Sequence, residues 1–205
     1  MDILEKLFGS VARVKMMKLF LLNGTNIFDR EDIIKRSKAN RSQVGKEIIL
    51  LEKIGFIRKR SFFKEKVDGR TNKTSKRRSS GYALDPSFPY LHQLKSLLVH
   101  SEPITDSSII KRLSRYGNIK FVVTAGIFIQ DEDSRLDLLV VGDKLKTGHL
   151  QNVISVMESE IGTELRYSIM KTSDFKYRIS ICDRLIRDVL DYPHQVVVDK
   201  FGISK

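Results

Sequence analysis

A dense set of basic side chains lies in segment 58–78, and lysine and arginine bind phosphate groups through charge-assisted hydrogen bonds. Ten of them stand there against Glu65 and Asp68, which leaves a net charge of +8. Residues 1–57 add +4, whereas residues 79–205 carry sixteen basic and sixteen acidic side chains. All of the net charge of +12 therefore lies before residue 79. A chain that is basic at one end only is suited to bind a polyanion there, although a solvated charge run has the same composition.

The residues before the basic segment decide between these two interpretations, because they have the pattern of two short helices joined by a tight turn. Asp29 and Asn40 each precede a helical pattern and are good N-cap residues. Asp32 and Gln43 stand three positions later, as in a capping box. The inward positions of the second helix are Val44, Ile48 and Leu51. Such a helix-turn-helix presents the N-terminal end of its second helix to the major groove of DNA, which favours nucleic-acid contact.

Further elements complete the N-terminal part of the chain. Apolar residues at helical spacing predict one first helix over Ile3–Leu22. Phe56–Ile57 and Gly81–Leu84 predict two strands, and the basic segment is then the long loop, or wing, between them. We expect the tip of this loop, 68–75, to be disordered until it meets a phosphate chain. The pair Phe62–Phe63 is predicted to pack on the helices from the wing strands, with stacking on bases as the alternative.

The stretch from Leu7 to Leu98 resembles the winged-helix transcriptional regulators of the arsenical-resistance-repressor type. The resemblance rests on the segments LFGSVARVKMMKLFLLN, NRSQVGKEIILLEKIGFIRKR and GYALDPSFPYLHQL. It implies a winged helix-turn-helix bound to double-stranded DNA, with the second helix near base edges or phosphates and the wing on flanking backbone or minor groove. The residues expected to contact DNA are Arg41, Ser42, Gln43 and Lys46 in the helix, and Arg58, Lys59, Arg60, Lys64, Lys66, Arg70, Lys73, Lys76, Arg77 and Arg78 in the wing.

The electrically neutral remainder of the chain has a different pattern, in which helices and strands alternate. After two prolines in 85–89, a helix is predicted over Tyr90–Val99. The later expected elements are helices over Ser107–Tyr116 and Leu150–Ile161, strands over Ile119–Val123, Leu136–Val141 and Leu165–Met170, a mainly helical Phe175–Leu190, and Val196–Val198 as a short strand or apolar tail. That order predicts a small α/β sheet with helices on one side, and an α+β fold class for the whole chain.

The segment SRLDLLVVGD at 134–143 resembles the minimal nucleotidyltransferase domains of the polymerase-beta type, as do ELRYSIM with SDF and LIRDVL with VVV further on. The resemblance covers Asn118–Phe201. In that family a Gly-Ser turn cradles phosphate, and two carboxylates at i and i+2 share one strand face and hold Mg²⁺.

This chain departs from the family at the positions that matter for catalysis. Asp137 matches the second carboxylate and Glu164 the third, but Arg135 stands at the first. Gly126 is followed by isoleucine rather than serine. We therefore expect a vestigial site in a catalytically inactive domain, in which Arg135 pairs with Asp137 on one strand face.

Composition excludes several classes of protein. The hydrophobic fraction of 41% and the charged fraction of 30% are typical of a soluble globular chain rather than a disordered one. No apolar run approaches the roughly 20 residues needed to cross a bilayer. Asp2 and Glu5 stand where a secretory signal has a basic start. The single cysteine, Cys182, excludes a disulfide within the chain, and we expect a packed, inert thiol and a cytoplasmic location.

These patterns predict a DNA-binding winged helix over 1–98, a linker over 99–106 and a nucleotidyltransferase-like domain over 107–205. The expected function is transcription regulation by a homodimer on double-stranded DNA, with no enzymatic activity, metal, cofactor or membrane partner. The second domain is expected to dimerise or to bind a small molecule or nucleotide. Two alternatives stay open at this point: an active nucleotidyltransferase targeted by a winged helix, and an RNA-binding factor.

Overall fold

The computed structural model describes residues 3–67, 74–99, 104–131 and 133–203. The chain is a mixed α+β protein, as predicted, and it divides into two compact units. The first unit comprises Met1–Glu102 with Glu158–Thr163, and the second comprises Pro103–Met157 with Glu164–Lys205. The first unit thus includes a short segment from within the predicted second domain. In the ranges given above, none of the helices has both the length and the apolar character that crossing a bilayer requires.

The described residues between 3 and 99 form five helices and one β-hairpin. The helices are α1 (Ile3–Phe8), α2 (Val11–Leu22), α3 (Arg30–Ser37), α4 (Arg41–Lys53) and α5 (Leu91–Val99). Their common core includes Phe20, Phe28, Ile33, Val44, Leu51, Phe56 and Leu98, all almost fully buried. Because α2 contributes Met16, Met17, Leu19 and Phe20 to this core, it is buried on most of its circumference.

The predicted single helix over Ile3–Leu22 is wrong, because the chain breaks between α1 and α2. Gly9 has a φ of 71°, in the left-handed region that favours glycine and ends a helix. Ser10 then caps α2, and its hydroxyl oxygen accepts a hydrogen bond from the Arg13 amide at 3.2 Å. The Gly-Ser pair is thus a stop and a start signal within a continuous apolar pattern.

Helices α3 and α4 begin as the sequence predicts. Asp29 and Asp32 form a capping box, in which each carboxylate accepts a hydrogen bond from the other residue's amide. Asn40 caps α4, and its side-chain oxygen accepts from the Gln43 amide at 2.8 Å. Lys38 in the left-handed conformation makes the turn between the two helices.

The basic segment is mostly strand, whereas the sequence predicted a long loop between two short strands. Strand β1 (Ile57–Val67) pairs antiparallel with β2 (Thr74–Leu84), in a register that runs from Ile57 opposite Leu84 to Val67 opposite Thr74. A bridge between Phe28 and Tyr82 joins the base of this hairpin to the residues before α3. Of the predicted disordered tip, Thr74 and Ser75 belong to β2, and 68–73 lie outside the described residues.

A four-stranded sheet organises the second unit. The elements after residue 103 are α6 (Asp106–Leu113), a 3₁₀ turn (Ser114–Tyr116), β3 (Asn118–Thr124), a 3₁₀ turn (Gly126–Phe128), β4 (Leu138–Asp143), α7 (Thr147–Ile161), β5 (Tyr167–Lys171), α8 (Thr172–Ser180), α9 (Arg184–Asp191) and β6 (Gln195–Asp199). The strand order is β5-β4-β3-β6, with β4 and β5 parallel and the other pairs antiparallel.

Both faces of the central strands are covered, whereas the sequence predicted helices on one side only. Phe121, Val123, Leu139 and Val141 pack on one face in a core with residues of α8 and α9. The alternate residues Val122, Leu138 and Val140, which point to the other face, are fully buried as well. Strands covered on both faces have continuous apolar runs, and FVV in β3 and LLVV in β4 are such runs.

The region predicted as mainly helical over Phe175–Leu190 is divided into α8 and α9. Cys182 lies at this break with a φ of 53°, and Asp183 caps α9 by accepting from the amides of Leu185 and Ile186. The expectation of a packed thiol is wrong, because Cys182 is exposed at the turn between the helices.

Candidate nucleic-acid interface

The first turn of α3 contacts the N-terminal end of α4. The Arg30 guanidinium donates a hydrogen bond to the Arg41 carbonyl oxygen at 3.1 Å and lies over Gly45, where a Cβ would approach its Nη2 atom to 2.6 Å. Arg41 in turn forms an ion pair with Glu31, with 2.9 Å between Nη2 and Oε1. Gly45 thus leaves room for the Arg30 guanidinium, although the exposed tip of this flexible side chain could shift to admit a larger residue.

The same turn of α3 also binds the hairpin. The Lys64 ammonium lies 2.6 Å from Asp29 Oδ2 and 2.9 Å from Asp32 Oδ1. Hydrogen bonds to the two carboxylates raise the pKa of Lys64 above its ordinary value. Burial alone raises the pKa of Asp29, but the hydrogen bonds from Lys64 and from the Asp32 amide outweigh it, so that this pKa is lowered. The turn Asp29–Asp32 thus joins the hairpin to the start of α4.

All four helix residues expected to contact DNA are exposed: Arg41, Ser42, Gln43 and Lys46. On the opposite side of the helix, Val44, Ile48 and Leu51 lie in the core, and the buried Glu47 is bound to Arg13 at 2.8 Å. The Arg41–Glu31 ion pair is open to solvent on both sides, and such pairs contribute about 0–1 kcal/mol. Arg41 can therefore exchange Glu31 for a phosphate at little cost.

The predicted hairpin contacts fall into three groups. Arg60, Lys76, Arg77 and Arg78 are exposed. Arg58, Lys59 and Lys64 lie near acidic residues: Arg58 is 3.7 Å from Asp85, Lys59 is 3.5 Å from Glu52, and Lys64 is bound by the two carboxylates of α3. The side chain of Lys66, and the whole of Arg70 and Lys73, lie outside the described residues.

Phe62 and Phe63 have different environments, although both were predicted to pack on the helices. Phe62 is half-buried, as that prediction requires, but 70% of the Phe63 surface is exposed. The physical reason is the strand period of two, which places consecutive side chains on opposite faces of the hairpin.

In the second unit, Asp137 lies just before β4 and is 3% exposed. Its carboxylate accepts four hydrogen bonds, from the Arg166 amide (2.7 Å), Arg166 Nε (3.2 Å), Arg166 Nη2 (3.0 Å) and the Ile127 amide (3.1 Å). The Asp137 carboxylate raises the pKa of the Arg166 guanidinium above its ordinary value. The expected pairing of Arg135 with Asp137 is wrong, because Arg135 Nε binds Asp188 Oδ2 at 2.8 Å. Arg135 and Asp137 also precede β4, so they do not share a face of that strand.

Of the other residues of the predicted vestigial site, one lies beside Asp137 and one is exposed. Gly126, with a φ of 55°, lies against Asp137, and a Cβ there would collide with the carboxylate. Glu164 is exposed. Within the described part of the chain, His, Cys, Asp and Glu side chains form no group of three or more that is placed to hold a metal ion.

Comparison of the chain with models of protein families, with curated proteins and with solved structures found no match.

Sequence reasoning missed two residues that organise these sites. Arg30 was assigned no role, and only the tertiary fold brings its guanidinium over Gly45. Arg166 lies 29 positions from Asp137, and no local spacing connects the two. A buried carboxylate requires a cation or several donors, so the partner's chemistry was foreseeable although its position was not.

Proposed function

We propose that the chain is a DNA-binding transcriptional regulator in which α3, α4 and the hairpin form a winged helix. The observation that carries this proposal is the turn Asp29–Asp32, which binds both the start of α4 and strand β1. The turn thereby links the two elements that carry the expected DNA contacts, namely α4 with four exposed polar residues and the hairpin with four exposed cations. An exposed helix N-terminus beside a basic two-stranded hairpin suits a duplex, because the helix fits the major groove and cations bind phosphates.

We further propose that the second unit, despite its resemblance to nucleotidyltransferases, transfers no nucleotide. Catalysis in that family requires carboxylates that are open to Mg²⁺. Here the Asp137 carboxylate is buried and bound by the Arg166 guanidinium, and Arg135 at the neighbouring catalytic position carries a positive charge. Dimerisation or ligand binding remains as the proposed role of this unit.

The salt dependence of DNA binding tests the proposal. Binding of a fluorescent duplex to the full chain is measured by anisotropy at several salt concentrations for wild type and for the double variant Arg77→Ala/Arg78→Ala. Each phosphate contact contributes about 0.9 to the slope of log K against log salt, so two lost contacts reduce that slope by about 1.8.

The matched control is Lys111→Ala/Arg115→Ala, which removes two exposed cations from the neutral half of the chain. It should leave both affinity and slope unchanged. Equal effects of the two double variants would contradict the assignment of the hairpin, and displacement of the duplex by a lower concentration of structured RNA would favour the RNA-binding alternative.

A further inference from the structure

The two faces of the hairpin differ in what covers them. Lys64 contacts the first turn of α3, and Phe62, two residues before it on the same face, is half-buried. Phe63 points to the opposite face, where 70% of its surface is exposed. A phenylalanine this open has an apolar ring available for a partner.

The register of the strands defines the surroundings of this ring. Arg78 lies directly opposite Phe63 on the same face and is exposed. Towards the base of the hairpin the next pair on this face is Ser61 with Ser80, and both serines are exposed. Towards the tip it is Glu65 with Lys76, and the Lys76 side chain is exposed. Directly opposite residues lie about 5 Å apart, so Arg78 is the nearest charged neighbour of the ring, and the pairs on either side of it are two serines and one acid with one cation.

A flat apolar ring beside cations is complementary to a flat aromatic group that carries negative charge, as a nucleotide does. Both faces of a base inside an intact duplex are already stacked on neighbouring base pairs. An unpaired base has a free face and can lie on an aromatic side chain. The charge on this face also disfavours a basic or purely apolar protein partner.

We propose that Phe63 stacks on an unpaired DNA base, while Arg78 and Lys76 bind the phosphates on either side of that base. This inference rests on the proposed function, in which the hairpin meets DNA. It extends that function from an intact duplex to a duplex with a bulged or extruded nucleotide.

The test compares two labelled duplexes that differ only in one unpaired adenine, with the full chain, at low salt where sequence-independent contacts suffice. Stacking predicts that wild type binds the bulged duplex about tenfold more tightly than the intact one. Phe63→Leu keeps the apolar bulk but loses the aromatic face, so this variant should bind both duplexes equally. Phe63→Tyr keeps the ring and should retain the preference. All variants should bind the intact duplex within about twofold of wild type, since the stacked bases of an intact duplex offer no free face to the exposed Phe63 ring.

The outcomes separate this inference from the proposed function. A bulge preference that survives in Phe63→Leu overturns the inference, as does a wild type that binds both duplexes equally, and in both cases duplex binding still supports the proposed function. A wild type that binds the bulged duplex through Phe63 but ignores the intact one supports the inference, since the hairpin still meets DNA, and contradicts the proposed binding to an intact duplex. Binding to neither overturns both.

Discussion

Asp137 connects separate segments of the second unit through the groups that bind it. Its carboxylate joins Arg166, before β5, to Ile127, after β3. Its own backbone adds further links, because the Ala125 amide donates to its carbonyl oxygen and its amide donates to the Arg166 carbonyl oxygen. A buried charge is stable only when such donors surround it. Asp137 is therefore positioned to hold three segments of the second unit together.

The substitution Asp137→Asn tests this structural role. Asparagine keeps the shape but loses the charge, and one of its polar groups then faces the Arg166 guanidinium with the wrong polarity. The free energy of unfolding should fall by about 2 kcal/mol, less than for a fully buried pair because the Arg166 side chain is 50% exposed. Urea denaturation measures the difference.

Asp133→Asn is the control, since it makes the same chemical change at an exposed position of the same unit. It should change the free energy of unfolding by no more than about 0.5 kcal/mol. Mg²⁺-dependent transfer of a labelled nucleotide by wild type, lost in Asp137→Asn, would contradict the assignment of an inactive unit.

Between elements, the contact of Lys64 with α3 sets the position of the hairpin. A two-stranded hairpin is marginally stable by itself and needs to pack on other elements. At its base, Ile57 and Leu84 enter the core, and the Phe28–Tyr82 bridge adds backbone hydrogen bonds. Further out, Lys64 reaches the two carboxylates that also cap α3. We therefore interpret Lys64 as a residue that orients the hairpin rather than as a phosphate ligand.

The pH dependence of Lys64→Met follows from the two shifted pKa values. Asp29 has a lowered pKa, so its contribution to the free energy of unfolding is present above its ordinary pKa of 3.8 and is lost as the pH falls through its folded-state pKa. Lys64 has a raised pKa, so its contribution to the free energy of unfolding is present below its ordinary pKa of 10.5 and is lost as the pH rises through its folded-state pKa. Lys64→Met should therefore reduce the free energy of unfolding by about 1 kcal/mol at neutral pH, and by less in acid below Asp29's ordinary value.

Chemical denaturation across the pH range measures this difference. Lys59→Met removes a more exposed cation that lies 3.5 Å from Glu52, and its effect should be smaller. A Lys64→Met effect that stays constant down to the acid limit would show that packing of the lysine stem, rather than the ion pair, accounts for it.

At the scale of the whole molecule, the charge is divided along the sequence. The first 78 residues carry the entire net charge of +12, and the rest is neutral. Strong attraction to phosphate is then confined to one end of the chain. A single winged helix reads few base pairs, and two copies on one site multiply the specificity. We therefore expect the neutral half to support a homodimer.

Selection of bound fragments from a random duplex pool tests this expectation. A dimer with twofold symmetry should enrich inverted repeats whose half-sites are about 10 bp apart, or a multiple of that distance. Enrichment of a single short motif, together with a monomeric mass by light scattering, would contradict the proposed dimer.

The sequence by itself determined most of the local structure and the division of charge. Asp29 and Asn40 predict the starts of α3 and α4 because capping is decided by a few neighbouring residues. The Gly9–Ser10 pair indicates the break between α1 and α2, but the apolar pattern continues across the pair and favoured a single helix. The apolar runs of β3 and β4 likewise predicted strands, although their central place in the sheet emerged only from the structure.

Only the tertiary structure decided which charges meet. Lys64 binds Asp29 and Asp32, which are more than thirty positions away in the sequence. Arg166 rather than Arg135 binds the Asp137 carboxylate. The tertiary structure also decided that Phe62 is half-buried while Phe63 is exposed. The strand period of two places neighbouring side chains on opposite faces, but it does not determine which face is packed. Capping is a local property of the chain, whereas ion pairing and burial depend on distances that only the folded chain sets.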